Sequence, residues 1–423
     1  LRCAHDWSRL VSGPHFVLLA DIGGARDLHV GDEAMLYANV LRLRRLFPGV
    51  RLTLLSRDPA YSAHTYQTEA LRPFGFSTDA AQEAERSALL EQIRARLNGR
   101  EAALSETAQA VIDAITTADG VFISGGGNMS SSWPHHLYER VALLECARAA
   151  GIPAVITGQT LGPNLSAGHR QLLRGALPIA ALVGLRERPS YLLALALDVP
   201  AESVVYQLDD ALFMPDAPLV QAALPAEPFI AVTLHPMAYA FGERTYPMLA
   251  GQLEAIARQT GLALAFIPHV AESNGRTDLS DVVVGEALEQ ALRAPLHRLP
   301  LLEPAQAVWA TRQAAMVISS RYHPLVFATS VARPALGLPM DEYTEIKLGG
   351  ALRHAGLEQW ILPLGDALKG NTLQKRAQAL WDARADVQAQ MKLHLPLWRE
   401  QDARLEQRVT EALRGENRSR TRQ

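Results

Sequence analysis

Again and again along this chain a short apolar run stops at glycines, or at a single charged or imidazole side chain, and a segment with helical spacing follows. Residues 16–20 (FVLLA) lead into Asp21, Ile22, Gly23 and Gly24, apolar residues then recur at helical spacing over 32–46, and 51–55 is apolar once more. Strand, loop, helix and strand in that order form a βαβ unit, whose crossover makes the two strands parallel. The pattern returns at 120–124, 151–159 and 180–185. It returns again at 229–234, 262–267, 316–320 and 333–338, after an interval holding Pro215, Pro218, Pro225 and Pro228. The proline-rich interval marks a linker. The expected fold class is α/β: two Rossmann-like doubly wound domains over 15–214 and 228–365, facing each other across a cleft, with C-terminal helices and a basic tail over 366–423.

The totals narrow the function classes. A chain of 423 residues exceeds one ordinary domain. A formal charge of -3 supplies no field to draw nucleic acid or an anionic membrane surface. The longest uncharged apolar run, 176–185, is closed by Arg186 and falls far short of the ~20 residues a bilayer crossing needs, so it reads as a buried strand and no transmembrane segment is expected. With Cys3 and Cys146 as its two cysteines, the chain can build neither a disulfide framework nor a thiolate zinc site, which fits the cytoplasm. His135 and His136, adjacent on an expected helix, would point about 100° apart, so no metal site is expected there.

Ligands of open parallel sheets bind outside the carboxyl ends of the strands, where helix N-termini offer free N–H groups and partial positive charge. Several residues fall at such ends. The 23–31 loop holds Arg26, Asp27 and His29, but its glycines lack the G-x-G-x-x-G spacing, which rejects a nicotinamide site. Gly125, Gly126, Gly127 and Asn128 follow the 120–124 strand; with no Cβ in the way, their backbone can approach a ligand, the alternative being a tight connection under a crowded sheet edge. Arg186 tops the 180–185 strand, and His235 and His269 top two strands of the second half, where each taken alone reads first as a histidine hydrogen-bonded to a loop carbonyl. Arg321 and His323 sit where 316–320 turns into a helix, at a place suited to an anion. The alternative pairs Arg321 with a surface carboxylate and leaves His323 as a cap beside Pro324. Elsewhere 79–118 reads as helix with one break at Asn98-Gly99, Asp341 begins a short helix carrying Lys347, and 415–423 is a polar, basic, frayed end.

Taken together, Gly31-Asp32-Glu33-Ala34, Ser124-Gly125-Gly126-Gly127, Gly151-Ile152-Pro153 through Gly158-Gln159-Thr160-Leu161-Gly162-Pro163, Leu185-Arg186-Glu187 and Ser320 through Ala328 resemble the polysaccharide pyruvyl transferase family in order and spacing. The resemblance implies two facing Rossmann-like domains of the B-type glycosyltransferase form, with the acceptor on the first, the donor on the second and the C-terminal helices returning to the first. It implies transfer of the enolpyruvyl carbons of phosphoenolpyruvate to two hydroxyls of a sugar or lipid-linked glycan, leaving a cyclic pyruvate ketal and phosphate. Phosphoenolpyruvate is then a co-substrate, with no metal or other cofactor; a homo-oligomer is compatible with the sequence. The resemblance places the catalytic arginine on Arg186 and the histidine on His323. The family lysine falls by counting on Tyr343, a departure, with Lys347 one helical turn further on. The chemistry suits these residues: Arg186, Arg321 and the 125–127 glycines for the donor's anions, with Asn128, His29 and Lys347 beside them. His323 is the expected general acid with a near-neutral pKa, and Asp32 the acceptor's base or, alternatively, a helix N-cap.

Overall fold

The computed structural model of the chain describes residues 13–24, 27–219, 224–271 and 279–415; Arg26 and residues 416–423 of the tail lie outside them. Among the described residues the first sheet has eight parallel strands: β1 His15–Leu19, β2 Arg51–Leu55, β3 Glu69–Leu71, β4 Gly120–Ile123, β5 Gly126–Met129, β6 Ala154–Leu161, β7 Leu182–Leu185 and β8 Val204–Tyr206. They lie in the order β3-β2-β1-β4-β6-β7-β8, with β5 paired to the outer length of β6. The second sheet, also parallel, contains β9 Phe229–Thr233, β10 Ala263–Phe266, β11 Leu296–Arg298, β12 Met316–Ser319 and β13 Ala335–Gly337 in the order β11-β10-β9-β12-β13. Each sheet reverses its strand order beside its first strand, at β1/β4 and at β9/β12, and these reversals open the crevices in which ligands of such sheets bind.

The central strands are buried along their length, as their apolar runs require. The edge strands β3 and β11 are three residues long with largely exposed or half-buried side chains, so no apolar run announces them. The 79–118 stretch is two helices, Glu83–Leu97 and Glu106–Thr116, with a gap opened by Gly99 at φ 72° that is longer than a single break. The proline-rich interval is tied down in its described part, through Ala217 N–H to the Ala305 carbonyl at 3.1 Å and the Arg312–Asp216 ion pair at 2.8 Å.

The helix Arg384–Leu413 runs 30 residues, and its last turns return to the first sheet. There Leu405, Val409, Ala412 and Leu413 join Phe16, Leu18, Leu52 and Phe122 in one core. Arg42 reinforces the return, pairing with Asp402 at 2.8 Å and with Glu406 at 3.6 Å. A second bond between the halves lies at the start of the helix Val30–Leu46. The Val30 N–H donates to the His269 carbonyl at 2.9 Å, the Ala271 N–H donates to that of Leu28 at 3.2 Å, and Leu28, Val30, Ala34 and Met35 belong to the second domain's core. No described helix is long and apolar enough to cross a membrane.

Candidate active site

Arg186 stands one residue past β7 and is 1% exposed. A buried guanidinium needs partners on all sides, and it has them: Nε to Glu187 at 3.0 Å, Nη1 to Asp209 at 2.8 Å and Nη2 to the Thr160 hydroxyl at 3.0 Å, with the Tyr322 ring 4.3 Å away. Burial opposes its charge, but Tyr322, Glu187 and Asp209 outweigh burial and hold its pKa well above the ordinary value. The sequence suggests an arginine awaiting an anion. The fold instead gives it two carboxylates of its own, with which any further anion must compete.

His323 comes from the other domain, in the first turn of the helix Tyr322–Thr329 after β12. Its Nε2 is buried without a hydrogen-bond partner and lies 3.8 Å from Asp209 Oδ2. Gly31, at the start of the helix Val30–Leu46, lets the two domains meet here, because a Cβ at that position would collide with the imidazole. Burial, then the nearby Arg186 charge, hold the His323 pKa well below the ordinary imidazole value despite the carboxylate of Asp32. This corrects the near-neutral acid expected from sequence: the protein's own charges favour neutral imidazole.

Asp32 is not the N-cap. That position belongs to His29, whose ring makes no capping bond, and Asp32 lies inside the first turn. His29 Nε2 is 3.4 Å from Asp27 and Nδ1 is 3.6 Å from Asp32. Burial alone would lower the His29 pKa, but the two carboxylates raise it to about 9; in return, Asp32 is held below the usual carboxylate range against its own burial.

Tyr343 and Lys347 project together from the helix Glu342–Arg353, one turn apart, toward Gly127 of the first domain. The Tyr343 hydroxyl donates to the Gly127 carbonyl and lies 3.1 Å from Lys347 Nζ. A side chain at Gly127 would occupy the space these two groups fill. Burial and then Arg186 bring the Lys347 pKa down to about 8. The glycine stretch itself is not an open loop. Gly126–Met129 is strand β5, and Asn128 reaches sideways, its Nδ2 donating to Asp21 at 2.9 Å. Asp21 also pairs with Arg140 at 2.7 Å and His136 at 2.8 Å, which outweigh burial and hold its carboxyl well below the usual range.

Arg321 does not point freely at an anion either. It is committed to the fully buried Asp281, Nη2 to Oδ1 at 2.5 Å. His235 Nδ1 accepts from the Met237 N–H at 3.0 Å, whereas His269 is buried with neither ring nitrogen partnered and stacks on Phe327 at 5.8 Å. The residues that sequence reasoning missed are the acidic partners Asp209, Glu187 and Asp281, together with Asp21. Asp209 had a signal: it stands with Asp210 just past the β8 run, at a strand's carboxyl end.

Beside this cluster, at the carboxyl ends of β1 and β2, a cavity of about 370 Å³ is lined by Asp21, Phe74, Phe76, His135, His136 and Glu139 among others. That volume suits a small molecule, and the lining mixes aromatic surface with a few polar groups. Asp21 joins the cavity to Asn128, and so to the strand facing Tyr343 and Lys347. Among the described residues no cluster of histidine, cysteine and carboxylate side chains is arranged to hold a metal ion.

In class, the molecule is a pair of parallel-sheet α/β domains of the glycosyltransferase-B-like form. It superposes on a putative UDP-N-acetylglucosamine 2-epimerase from Listeria monocytogenes with a TM-score of 0.57 and 14% identity over 90% of this chain and 91% of that one. The UDP-GlcNAc 2-epimerase from Neisseria meningitidis bound to UDP-GlcNAc gives 0.55 and 10% over 89% and 94%. Anabaena Alr3699/HepE in complex with UDP and glucose gives 0.54 and 12% over 95% and 99%. At such identities the likeness concerns the fold alone. No curated protein matches the chain. The chain belongs to the polysaccharide pyruvyl transferase family, whose pattern residues 29–342 match.

Proposed function

We propose that this protein transfers the pyruvyl carbons of phosphoenolpyruvate to two hydroxyls of one sugar in a polysaccharide or glycan precursor, forming a cyclic ketal and phosphate. The observation that carries this reading is the meeting, across one cleft, of Arg186 from the first domain with His323 and Lys347 from the second. A donor with a phosphate and a carboxylate needs fixed cations in a dry site, and arginine can grip either group in bidentate fashion. In this reading His323 delivers a proton to the donor's methylene carbon. An acceptor hydroxyl adds to the resulting oxocarbenium-like centre, and phosphate leaves with the C–O bonding pair as the second hydroxyl closes the ring. Of the two hydroxyl protons released, one ends on the new methyl group by way of the imidazole and the other on phosphate. In this reading the acceptor sits in the cavity at Asp21 and His136, on the first domain, and Asp32 receives a hydroxyl proton.

The test is phosphate release from phosphoenolpyruvate with a panel of glycosides, no nucleotide being present, and mass spectrometry of the sugar product. Ketal formation supports the reading. Release of a nucleoside diphosphate from a nucleotide-sugar, with none of phosphate from phosphoenolpyruvate, would replace it with glycosyl transfer.

A further inference from the structure

Asp209 has one oxygen anchored and one shared. Its Oδ1 accepts the Ala211 N–H at 2.8 Å, which pins the carboxylate to the backbone. Its Oδ2 lies 2.8 Å from Arg186 Nη1 and 3.8 Å from the unpartnered, buried Nε2 of His323. From the geometry we infer that Asp209 is a positioning residue that an anion on Arg186 releases toward His323, so that donor binding itself makes His323 a competent acid. The inference rests on the proposed reaction for its substrate, but its geometry needs only an anion.

The reasoning is one of competition. Arg186 is already flanked by Glu187 and Asp209, so a phosphate or carboxylate arriving at its guanidinium repels both and takes over hydrogen bonds they now receive. Glu187 has alternatives in the hydroxyls of Thr160 at 2.9 Å and Ser190 at 3.2 Å. Asp209 also takes a bond from the Tyr322 hydroxyl, whose ring packs 5.0 Å from that of His323; the neighbouring unsatisfied group is His323 Nε2, and turning about the anchored oxygen closes the gap to ~2.8 Å, ordinary hydrogen-bond length. The other groups around His323 are Arg186, Lys347 and His29, which disfavour its charge, Asp32, which favours it, and His269, which stands near it as a buried neutral ring. An anion on Arg186 removes the largest of the opposing charges at the same moment as Asp209 turns. His323 then takes a proton from solvent, donates it to the methylene carbon, regains one from the acceptor hydroxyl and returns that one to solvent when the anion departs, so each turnover leaves the imidazole neutral as it began.

The experiment follows His323 directly. Histidine labelled with ¹³C at Cε1, assigned by His323→Gln, is titrated in the full chain alone, with inorganic phosphate and with phosphoenolpyruvate. The expected result is an upward shift of the His323 pKa by about one unit or more with either anion, the scale of a new opposite charge within hydrogen-bond reach. In Asp209→Asn the shift should largely vanish. In turnover, that variant should keep or improve its phosphoenolpyruvate KM, lose at least ~10-fold in kcat, and show the alkaline fall of kcat at lower pH, because the acid loses its proton sooner. A His323 titration that neither anion moves overturns the inference, even if Asp209→Asn does not fold, because that measurement uses the natural chain. An unshifted alkaline limb with a raised KM also overturns it, leaving Asp209 as a simple counter-ion of Arg186. If phosphate moves His323 but phosphoenolpyruvate is neither bound nor turned over, Asp209 keeps its role and the proposed donor falls instead.

Discussion

At the scale of single residues, the site holds two cations of different character. Arg186 is charged at any accessible pH, while Lys347, with its pKa brought to about 8 by burial and Arg186, is charged only below that value. An anion held by Lys347 is therefore bound fully at pH 7 and loses one opposing charge as pH rises through 8. Phosphoenolpyruvate affinity measured by calorimetry should fall across pH 7 to 9 in the natural chain and show a much flatter profile in Lys347→Ala. At pH 7 that variant should bind about tenfold or more weakly, since a charge-assisted contact contributes ~1.5–3 kcal/mol. Tyr343→Phe should do less, because it removes the bond to the Gly127 carbonyl but no charge. The reverse ranking would mean that this chain reads its donor through Tyr343 rather than Lys347. For His323→Gln, the expectation is retained donor binding with turnover down ~10²–10⁴-fold, and unchanged turnover would leave the imidazole as packing.

At the scale of elements, two helices set the site's frame. The helix Arg384–Leu413 covers the first sheet with Leu405, which is 4% exposed in a core shared with Phe16 and Leu18. Leu405→Ala should cost about 2–5 kcal/mol in denaturant unfolding, with the site's own chemistry spared in whatever fraction remains folded. A cost near zero would show that the returning helix is dispensable. The helix Val30–Leu46 begins at His29, whose folded pKa of about 9 exceeds the ordinary 6.5 because Asp27 and Asp32 outweigh its burial. Its charge therefore contributes stability in full below pH 6.5, a contribution that shrinks above 6.5 and is gone once pH has passed about 9. Thermal unfolding followed over that window should show Tm declining in the natural chain more steeply than in His29→Gln. Parallel curves would remove His29 from the account.

At the scale of the whole molecule, the domains are joined through Gly31. Backbone bonds between 28–30 and 269–271 bring the helix start against the second domain, and the missing Cβ at Gly31 leaves room for the His323 ring. Gly31→Ala leaves each sheet its own core but puts a methyl group where the imidazole lies. Small-angle scattering should then record a larger radius of gyration, with circular dichroism unchanged and turnover reduced by at least ~10-fold, since reacting groups displaced by an ångström lose that much or more. Unchanged scattering and turnover would show that the cleft does not depend on this contact.

The alternation of apolar runs with helical spacing was enough to read two parallel-sheet domains, the central strands and the carboxyl ends where Arg186 and His323 stand. That information is local: strand period, helix period and the residue at a strand's end all lie within a dozen positions of one another. The edge strands β3 and β11 escaped because a half-exposed strand of three residues carries no apolar run. That residues 126–129 form a strand stayed hidden, because their pairing with β6 joins Gly126 to Gln159, 33 positions on, and no local pattern shows it. The long-range pairings that decide Arg186, Arg321 and Tyr343 belonged to tertiary structure. Arg186 meets Asp209 across 23 positions, Arg321 meets Asp281 across 40, and Tyr343 meets Gly127 across 216. Whether a cation is free, paired or lowered in pKa depends on which charges share its low-dielectric surroundings, and only the folded chain brings those charges together.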